Sequence, residues 1–444
     1  MLTASALVLL MTPGLGFFYG GLTRSKNVLA TIMQSFISIS VVGILWMLVG
    51  YSLAFGPDVG LGLIGDLSWF GLKDVGGEPG GPNGSVYGVG VPHLVFMVFQ
   101  MMFAIITPAL ITGAFAERAR FGPFLIFTAL WSLLVYVPVA HWVFAYDGWL
   151  SAFSTDPDAP NQGLNALDFA GGIAIHVSAG TAALASVLVF GRRKGYGTEP
   201  MEPHDITMVV LGTALLWFGW FGFNAGSAGA ASSQAVYAFT NTIASGLVAA
   251  FVWMLLSWRH QARPSVLGAS AGAVAGLASV TPASGYIEPM EAMFIGLVAG
   301  AICFYAVRWR SKIGLDDSLD VVGVHGVGGA WGSLAVGLFA TSSVSGIAFA
   351  NGAFHGNAQQ LWDQFVAISV VGLFSFVVTF ALLKILDLTV GIRVSETDEE
   401  LGLDVTQHGE RAYAGDDGGV VTLPGPLLPA PPVVYPSAGS AGGQ

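Results

Sequence analysis

Apolar runs long enough to cross a bilayer recur along almost the whole chain, near residues 2–20, 28–54, 92–115, 123–144, 167–190, 206–228, 238–258, 265–281, 290–308, 320–340 and 363–389. A helix needs about 20 apolar residues to traverse the hydrocarbon core. The spacing therefore predicts an all-α polytopic membrane protein with 11 transmembrane helices. Composition excludes a soluble alternative, because 54% of residues are hydrophobic, 10% are charged and mean hydropathy is +0.70. The single cysteine, Cys303, lies in an apolar run, so neither an intramolecular disulfide nor redox chemistry is expected.

Charge fixes the expected orientation. Basic clusters at Arg24 and Lys26, Arg118 and Arg120, Arg192 to Lys194, Arg259 and Arg263, and Arg308 to Lys312 occupy every second loop. By the positive-inside rule the N-terminus is outside and the C-terminus is cytoplasmic. The opposite loops, 55–91 and 145–166, are rich in Gly, Pro, Asn and Asp, as turns over a vestibule would be. No signal-peptide pattern precedes the first run. An odd span count sets the fifth and tenth spans in opposite directions, which predicts an inverted repeat of spans 1–5 and 6–10 plus an extra eleventh helix. Three domains are expected: a transmembrane domain over 1–390, a polar cytoplasmic tail over 391–413, and a disordered Gly-, Pro- and Ala-rich end over 414–444.

Two histidines stand inside these runs. His176 lies in DFAGGIAIHVSAGTAAL, which begins at Asp168, and His325 lies in DVVGVHGVGGAWGSL, which begins at Asp320. An ionisable residue at membrane depth marks a functional site by default, and the predicted repeat makes these two symmetry mates near the bilayer middle. A zinc site would want three or four convergent ligands. No cysteine partner is present, and Asp168 is two helical turns from His176, so no metal is expected. The simplest alternative is that each histidine only bonds a neighbouring carbonyl or Ser178. Two neutral imidazoles in contact can instead share a proton and line a narrow pore. His93, His141, His204, His260, His355 and His408 sit at span ends or in loops and read as surface groups.

A pore that handles a small cation needs a recognition surface, and aromatic faces supply one without full counter-charge. Phe99 and Phe103 are four residues apart and share a helix face. Trp220, Phe223 and Ser227 form a second such set. Taken singly, these aromatics read equally well as core or lipid-facing residues, and Ser227 as helix-packing glue.

The segments MTPGLGFFYGGLTRSKN, FQMMFAIITPALITGAFAER, DFAGGIAIHVSAG, GWFGFNAGSA, LASVTPASGYIEP, DVVGVHGVGGAWG and DLTVGIRVSETDEELGLDVTQHGERAY occur in order from about residue 3 to 413. They resemble the ammonium transporter family of Amt, Mep and Rh proteins, specifically its bacterial and plant Amt branch. The resemblance implies a homotrimer with one pore per subunit. It implies that Phe99 and Ser227 belong to an outer ammonium recognition site and that Phe103 and Phe223 form a phenyl gate. It makes His176 and His325 the twin-histidine pore and Asp168 an acid that orients local backbone and stabilises positive charge. Trp220 matches a pore tryptophan beside the gate and is grouped with the recognition residues. Many members have Trp where this chain, in HWVFAYDGW, has Phe144. Phe is a weaker cation–π partner than Trp, so weaker outer binding is implied.

A bare cation does not cross an apolar midplane cheaply. The expected mechanism is that ammonium sheds its proton after recognition, neutral ammonia passes the gate and the histidines, and the proton returns outside or is relayed across. For this branch the resemblance favours net electrogenic uptake at the cell membrane, with methylammonium as a substrate analogue. Neither a cofactor nor an enzymatic activity is expected. The resemblance also implies a tail that packs on the neighbouring subunit, a PII-type signalling protein as a possible partner at the cytoplasmic face, and Thr406 at the place where plant members are phosphorylated. Three alternatives stay open: an Rh-like electroneutral ammonia or carbon dioxide channel, an ammonium sensor, and an intramembrane enzyme, for which no nucleophile or metal motif is evident.

Overall fold

The computed structural model describes residues 1–79, 90–152 and 164–413. The end segment 414–444, expected to be disordered, and parts of both vestibule loops lie outside these residues. Within them the chain is helical, with no strand and three isolated β-bridges.

Among the described residues, ten helices are long and apolar enough to cross a membrane. We label the apolar helices in chain order: α1 (Leu2–Leu22), α2 (Ser25–Phe55), α3 (His93–Ala114), α4 (Phe121–Phe144), α5 (Gly172–Phe190), α6 (Ile206–Gly226), α7 (Ser233–Gln261), α8 (Val266–Val280), α9 (Pro289–Lys312), α10 (Val322–Phe339) and α11 (Gln359–Thr389). The exception to the length criterion is α8, which has 15 residues. At 1.5 Å per residue it covers roughly 22 Å, short of the ~30 Å hydrocarbon thickness. It stops in a run of turns beginning at Thr281, where the Pro282 carbonyl accepts a hydrogen bond from the Phe169 N–H at 3.1 Å. The eighth expected crossing is thus a helix plus a non-helical segment.

The fifth helix also differs from its apolar run. It begins at Gly172 rather than near 167, because Asp168 and the residues around it form a non-helical lead-in. Gly171 takes φ +113°, and a Cβ there would lie 2.2 Å from Ile175 Cδ1, so only glycine fits. Four of the long helices contain wide π-turns, at Trp46–Gly50, Ser132–Tyr136, Gly172–Val177 and Val322–Val327. The last two carry His176 and His325.

Helices α5 and α10 meet through glycine. A Cβ at Gly180 would lie 2.2 Å from Gly326 Cα, and one at Gly329 would lie 2.7 Å from His176 Cβ. Each helix therefore lays a glycine against the histidine-bearing turn of the other, the close backbone approach that small residues permit inside a membrane.

Basic residues from three of the loops, around Arg24, Arg120 and Arg193, meet the tail. Glu117, whose side chain is fully buried, pairs with Arg24 at 2.8 Å and Arg193 at 2.9 Å, and Arg193 also pairs with Asp316 at 2.7 Å. Burial pushes the Glu117 and Asp316 carboxyls up, yet their arginine partners hold both below the usual carboxylate range. Segment 391–413 lies on this platform. Asp404 accepts from the Leu29 and Ala30 N–H groups at 3.0 and 2.8 Å, at the start of α2. Asn27 accepts from the Leu403 N–H at 2.8 Å, and Glu399 pairs with Arg393 at 2.8 Å.

The reading of the remaining histidines as surface groups holds for His260 and His355, which are exposed, but not for His93 and His141, which are buried. His141 Nδ1 bonds the Ala54 carbonyl at 2.9 Å and its Nε2 meets Asp58 at 3.2 Å, a cross-link between the ends of α2 and α4. A span end folded under a loop is interior, which position along the chain does not reveal. His93 packs edge-on against Trp69, with ring centroids 4.5 Å apart.

Candidate functional site

Two spaces lie on either side of a pair of phenyl rings. Phe96, Phe99, Gln100 and Phe103 fall at i, i+3, i+4 and i+7 of α3 and so present one face. That face lines a cavity of about 250 Å³, together with Phe144, Asp168 and Ser227. Phe99 and Phe103 pack edge-on at 4.8 Å. Phe103 then meets Phe223 of α6 at 4.3 Å, with the rings inclined by 32°. Phe223 lines a second, far smaller chamber of about 10 Å³ with His176, His325, Trp220, Ile106 and Leu216. About 10–15 Å³ is the least that holds one water molecule. The two rings thus stand between a wide cavity and a space one small molecule across.

In the narrow chamber the imidazoles of His176 and His325 lie nearly parallel, 5.1 Å apart between centroids and inclined by 17°. Their Nδ1 atoms are 3.2 Å apart. Such a contact requires one Nδ1–H donor and one bare Nδ1 acceptor, so the neutral rings are in opposite tautomers and share a single proton between them. His176 Nε2 is buried without a hydrogen-bond partner. Trp220 stacks on His176 at 5.6 Å and donates its indole N–H to Thr281 Oγ1 at 2.8 Å. Its place is therefore beside the histidines; it does not line the wide cavity with Phe99, Phe144 and Ser227, where the sequence reading had grouped it.

Asp168 is buried, and its carboxylate is used internally. Oδ1 accepts from the Gly171 and Gly172 N–H groups at 2.9 and 2.6 Å, and Oδ2 from Ile173 and Ala174 at 2.8 and 3.0 Å. It caps the start of α5 and leaves a negative charge under the wide cavity without offering it a free lone pair. Ser227 donates its hydroxyl proton to the Phe223 carbonyl at 2.9 Å, so its oxygen lone pairs remain as acceptors.

The acid that corresponds to Asp168 near His325 is not Asp320. Asp317 stands eight residues before His325, as Asp168 does before His176. It is buried, and its Oδ2 accepts from the Val322 N–H, five residues on, at 2.8 Å. Asp320 instead turns to Arg310, which donates to it from Nε and pairs through Nη2. The apparent likeness of the two aspartate-led segments hid the register. Among the described residues no cluster of three or more His, Cys, Asp or Glu side chains is placed to hold a metal ion.

A model of the family described as Ammonium Transporter Family matches residues 1–413. The chain belongs to the ammonium transporter family. It is 49% identical over 414 residues to the ammonium transporter of Bacillus subtilis, covering 93% of this chain and 97% of that one. It is 45% identical over 413 residues to ammonium transporter Amt1 of Archaeoglobus fulgidus, covering 93% and 98%. Among solved structures, Saccharomyces cerevisiae Mep2 superposes with a TM-score of 0.83 at 35% identity, covering 94% of this chain and 91% of that one. A protein described as a sensor Amt protein superposes with a TM-score of 0.81 at 28% identity, covering 91% and 96%. Family membership makes this a multi-pass membrane protein of transport rather than catalytic kind.

Sequence reasoning passed over several residues of the site. Gln100, Tyr146, Phe169 and Tyr286 also line the wide cavity. Only Gln100 had a readable signal, since it lies on the face that Phe99 and Phe103 define; the others arrive from loops and turns whose course the apolar pattern does not encode.

Proposed function

We propose that this ammonium transporter takes up ammonium by recognising the cation in the wide cavity, stripping its proton, and passing ammonia between Phe103 and Phe223 to the His176/His325 pair. The observation that carries this reading is the sequence of spaces: aromatic cavity, closed ring pair, then a chamber of about 10 Å³ with two imidazoles whose Nδ1 atoms are 3.2 Å apart. Phe99 and Phe144 offer ring faces to the cation, Ser227 offers an acceptor, and Asp168 supplies charge from below. A hydrated cation cannot keep its shell in the chamber, and a bare one is too costly there. Ammonia keeps both a donor and an acceptor for the imidazoles. Potassium has no proton to leave behind and is excluded. The shared imidazole proton gives the released proton a path across, which makes net transport electrogenic.

The same reading places the N-terminus and wide cavity outside and the basic, tail-bearing face in the cytoplasm of a cell membrane, with 1–390 as the transport domain and 391–413 as a regulatory tail. Eleven crossings follow if α8 and its turn count as one. An inverted repeat is supported by matched offsets. His176 and His325 are 149 residues apart, and Asp168 with Asp317 and Gly180 with Gly329 keep the same separation. A homotrimer, and a PII-type partner at the basic face, are consistent with family membership.

Solid-supported-membrane electrophysiology on proteoliposomes tests the core of this. Ammonium pulses should give a saturating inward current, potassium pulses none, and His176→Ala should slow the ammonium current or admit potassium. Interior alkalinisation without current would mean a neutral channel. Unchanged flux and selectivity in His176→Ala would remove the histidines from the mechanism.

A further inference from the structure

The wide cavity holds an acceptor that nothing in the fold satisfies. Gln100 is half-buried on the same face of α3 as Phe96 and Phe103, and its Oε1 is buried with no hydrogen-bond partner. A buried amide oxygen left unpaired costs about 1–3 kcal/mol, and native proteins leave few of them. Of the other oxygens at this space, both Asp168 oxygens already take two backbone N–H groups each, and Ser227 has given its proton to Phe223. Ring faces attract a cation but fix none of its N–H directions.

We propose that Gln100 is a direct ligand of the cation in the wide cavity, accepting an N–H hydrogen bond through Oε1 while Ser227 accepts another. The inference rests on the ammonium-uptake reading above and names a further residue of that site. The terminal amide torsion of glutamine is broad, so Oε1 turns to the cation at little cost. Occupancy then gives that oxygen a partner that the protein's own groups do not supply. A neutral amide suits a transport site: it adds affinity without the full charge that would slow release to the ring pair. Gln100 also sits one turn above Phe103, so a cation held there is poised at the gate.

The test is the ammonium concentration dependence of current in proteoliposomes of the full chain, comparing wild type with Gln100→Met and Gln100→Glu. Methionine keeps the volume and loses the oxygen, and glutamate keeps the oxygen and adds charge. A hydrogen bond to a charged group is worth about 1.5–3 kcal/mol, so Gln100→Met should raise the half-saturating ammonium concentration at least tenfold or so. Its maximal current and thermal midpoint should stay near wild type. Gln100→Glu should lower the half-saturating concentration and the maximal current together. Half-saturation unchanged in both variants, with wild-type current present, overturns the inference alone. A loss of maximal current and thermal midpoint in Gln100→Met, without a rise in half-saturation, assigns Gln100 to packing and equally overturns it. Absence of any ammonium-dependent signal in wild type overturns the uptake reading and this ligand with it.

Discussion

Asp168→Ala offers the most quantitative trial of the site's construction. The substitution strips acceptors from four N–H groups at once, those of Gly171, Gly172, Ile173 and Ala174, at 2.6 to 3.0 Å from the carboxylate. An unsatisfied buried donor costs about 1–3 kcal/mol. Taking the low end of that range for each of the four groups, the expected loss is about 4 kcal/mol. By the usual unfolding entropy per residue, a chain of this size shifts by roughly 1 °C per kcal/mol, so the thermal midpoint should fall ~4 °C. Asp168→Asn keeps one acceptor oxygen and should lose about half as much. Differential scanning fluorimetry in detergent reads the midpoint, and ammonium current in proteoliposomes reads the function. Because the start of α5 positions His176 about one turn further on, current should fall in the same order, alanine below asparagine below wild type. An Asp168→Ala protein with wild-type midpoint and current would refute the cap as the reason for this residue.

Other substitutions probe other parts of the frame. Gly180→Ala puts a methyl 2.2 Å from Gly326 Cα, where only backbone can yield. The cost should be about 1–3 kcal/mol or more, seen as a lower midpoint and, because the His176–His325 contact is spread, reduced ammonium current. Glu117→Gln leaves Arg24 and Arg193 without their buried counter-charge and should cost about 3–5 kcal/mol. Since Glu117 and Asp316 are held below the ordinary carboxylate range, their stabilisation is complete above the unfolded value near pH 4 and is lost as pH falls through the folded values. Glu117→Gln should therefore weaken the acid dependence of the midpoint below about pH 4. Asp317 has the opposite sign: burial pushes it up to about 6, although Arg310 opposes. Its charged form is disfavoured in the fold, so stability grows as pH falls from 6 toward 4. Asp317→Asn should raise the midpoint at pH 8 by the equivalent of up to ~3 kcal/mol, and the gain should vanish near pH 4.

Much of this was legible in the chain. The histidines announced themselves because a titratable group inside an apolar run has few innocent explanations, and Phe99, Phe103, Phe223 and Ser227 only once the family resemblance was added to their helical spacing. Three of the basic clusters, at Arg24 and Lys26, Arg118 and Arg120, and Arg192 to Lys194, are the ones that meet the tail. What escaped depended on local geometry that periodicity does not carry. The π-turns at His176 and His325 widen the helix without changing its apolar pattern. The offset that pairs Asp168 with Asp317 was masked by Asp320, which heads the more similar stretch but faces Arg310. Trp220 stands seven residues before Ser227, which follows the end of α6, yet it sits on the far side of Phe223, and that length separates a wide cavity from a narrow chamber. His141 looked exposed because a span end was taken for a surface.

The docking of the tail has a meaning for how the chain is made. Its partners come from three places where helix ends meet loops: Asn27, Leu29 and Ala30 at the start of α2, Arg120 and Phe121 at the start of α4, and Phe190 and Lys194 at and beyond the end of α5. All lie in the first half of the sequence, and the segment that reads them is synthesised some two hundred residues or more later. The three parts of that docking site come together only when the ends of α2, α4 and α5 meet, and no tail exists to fill it until α11 has been made. The last described segment therefore seats only after α11 has been made, and its hydrogen bonds then tie the end of the chain to helices made at its start.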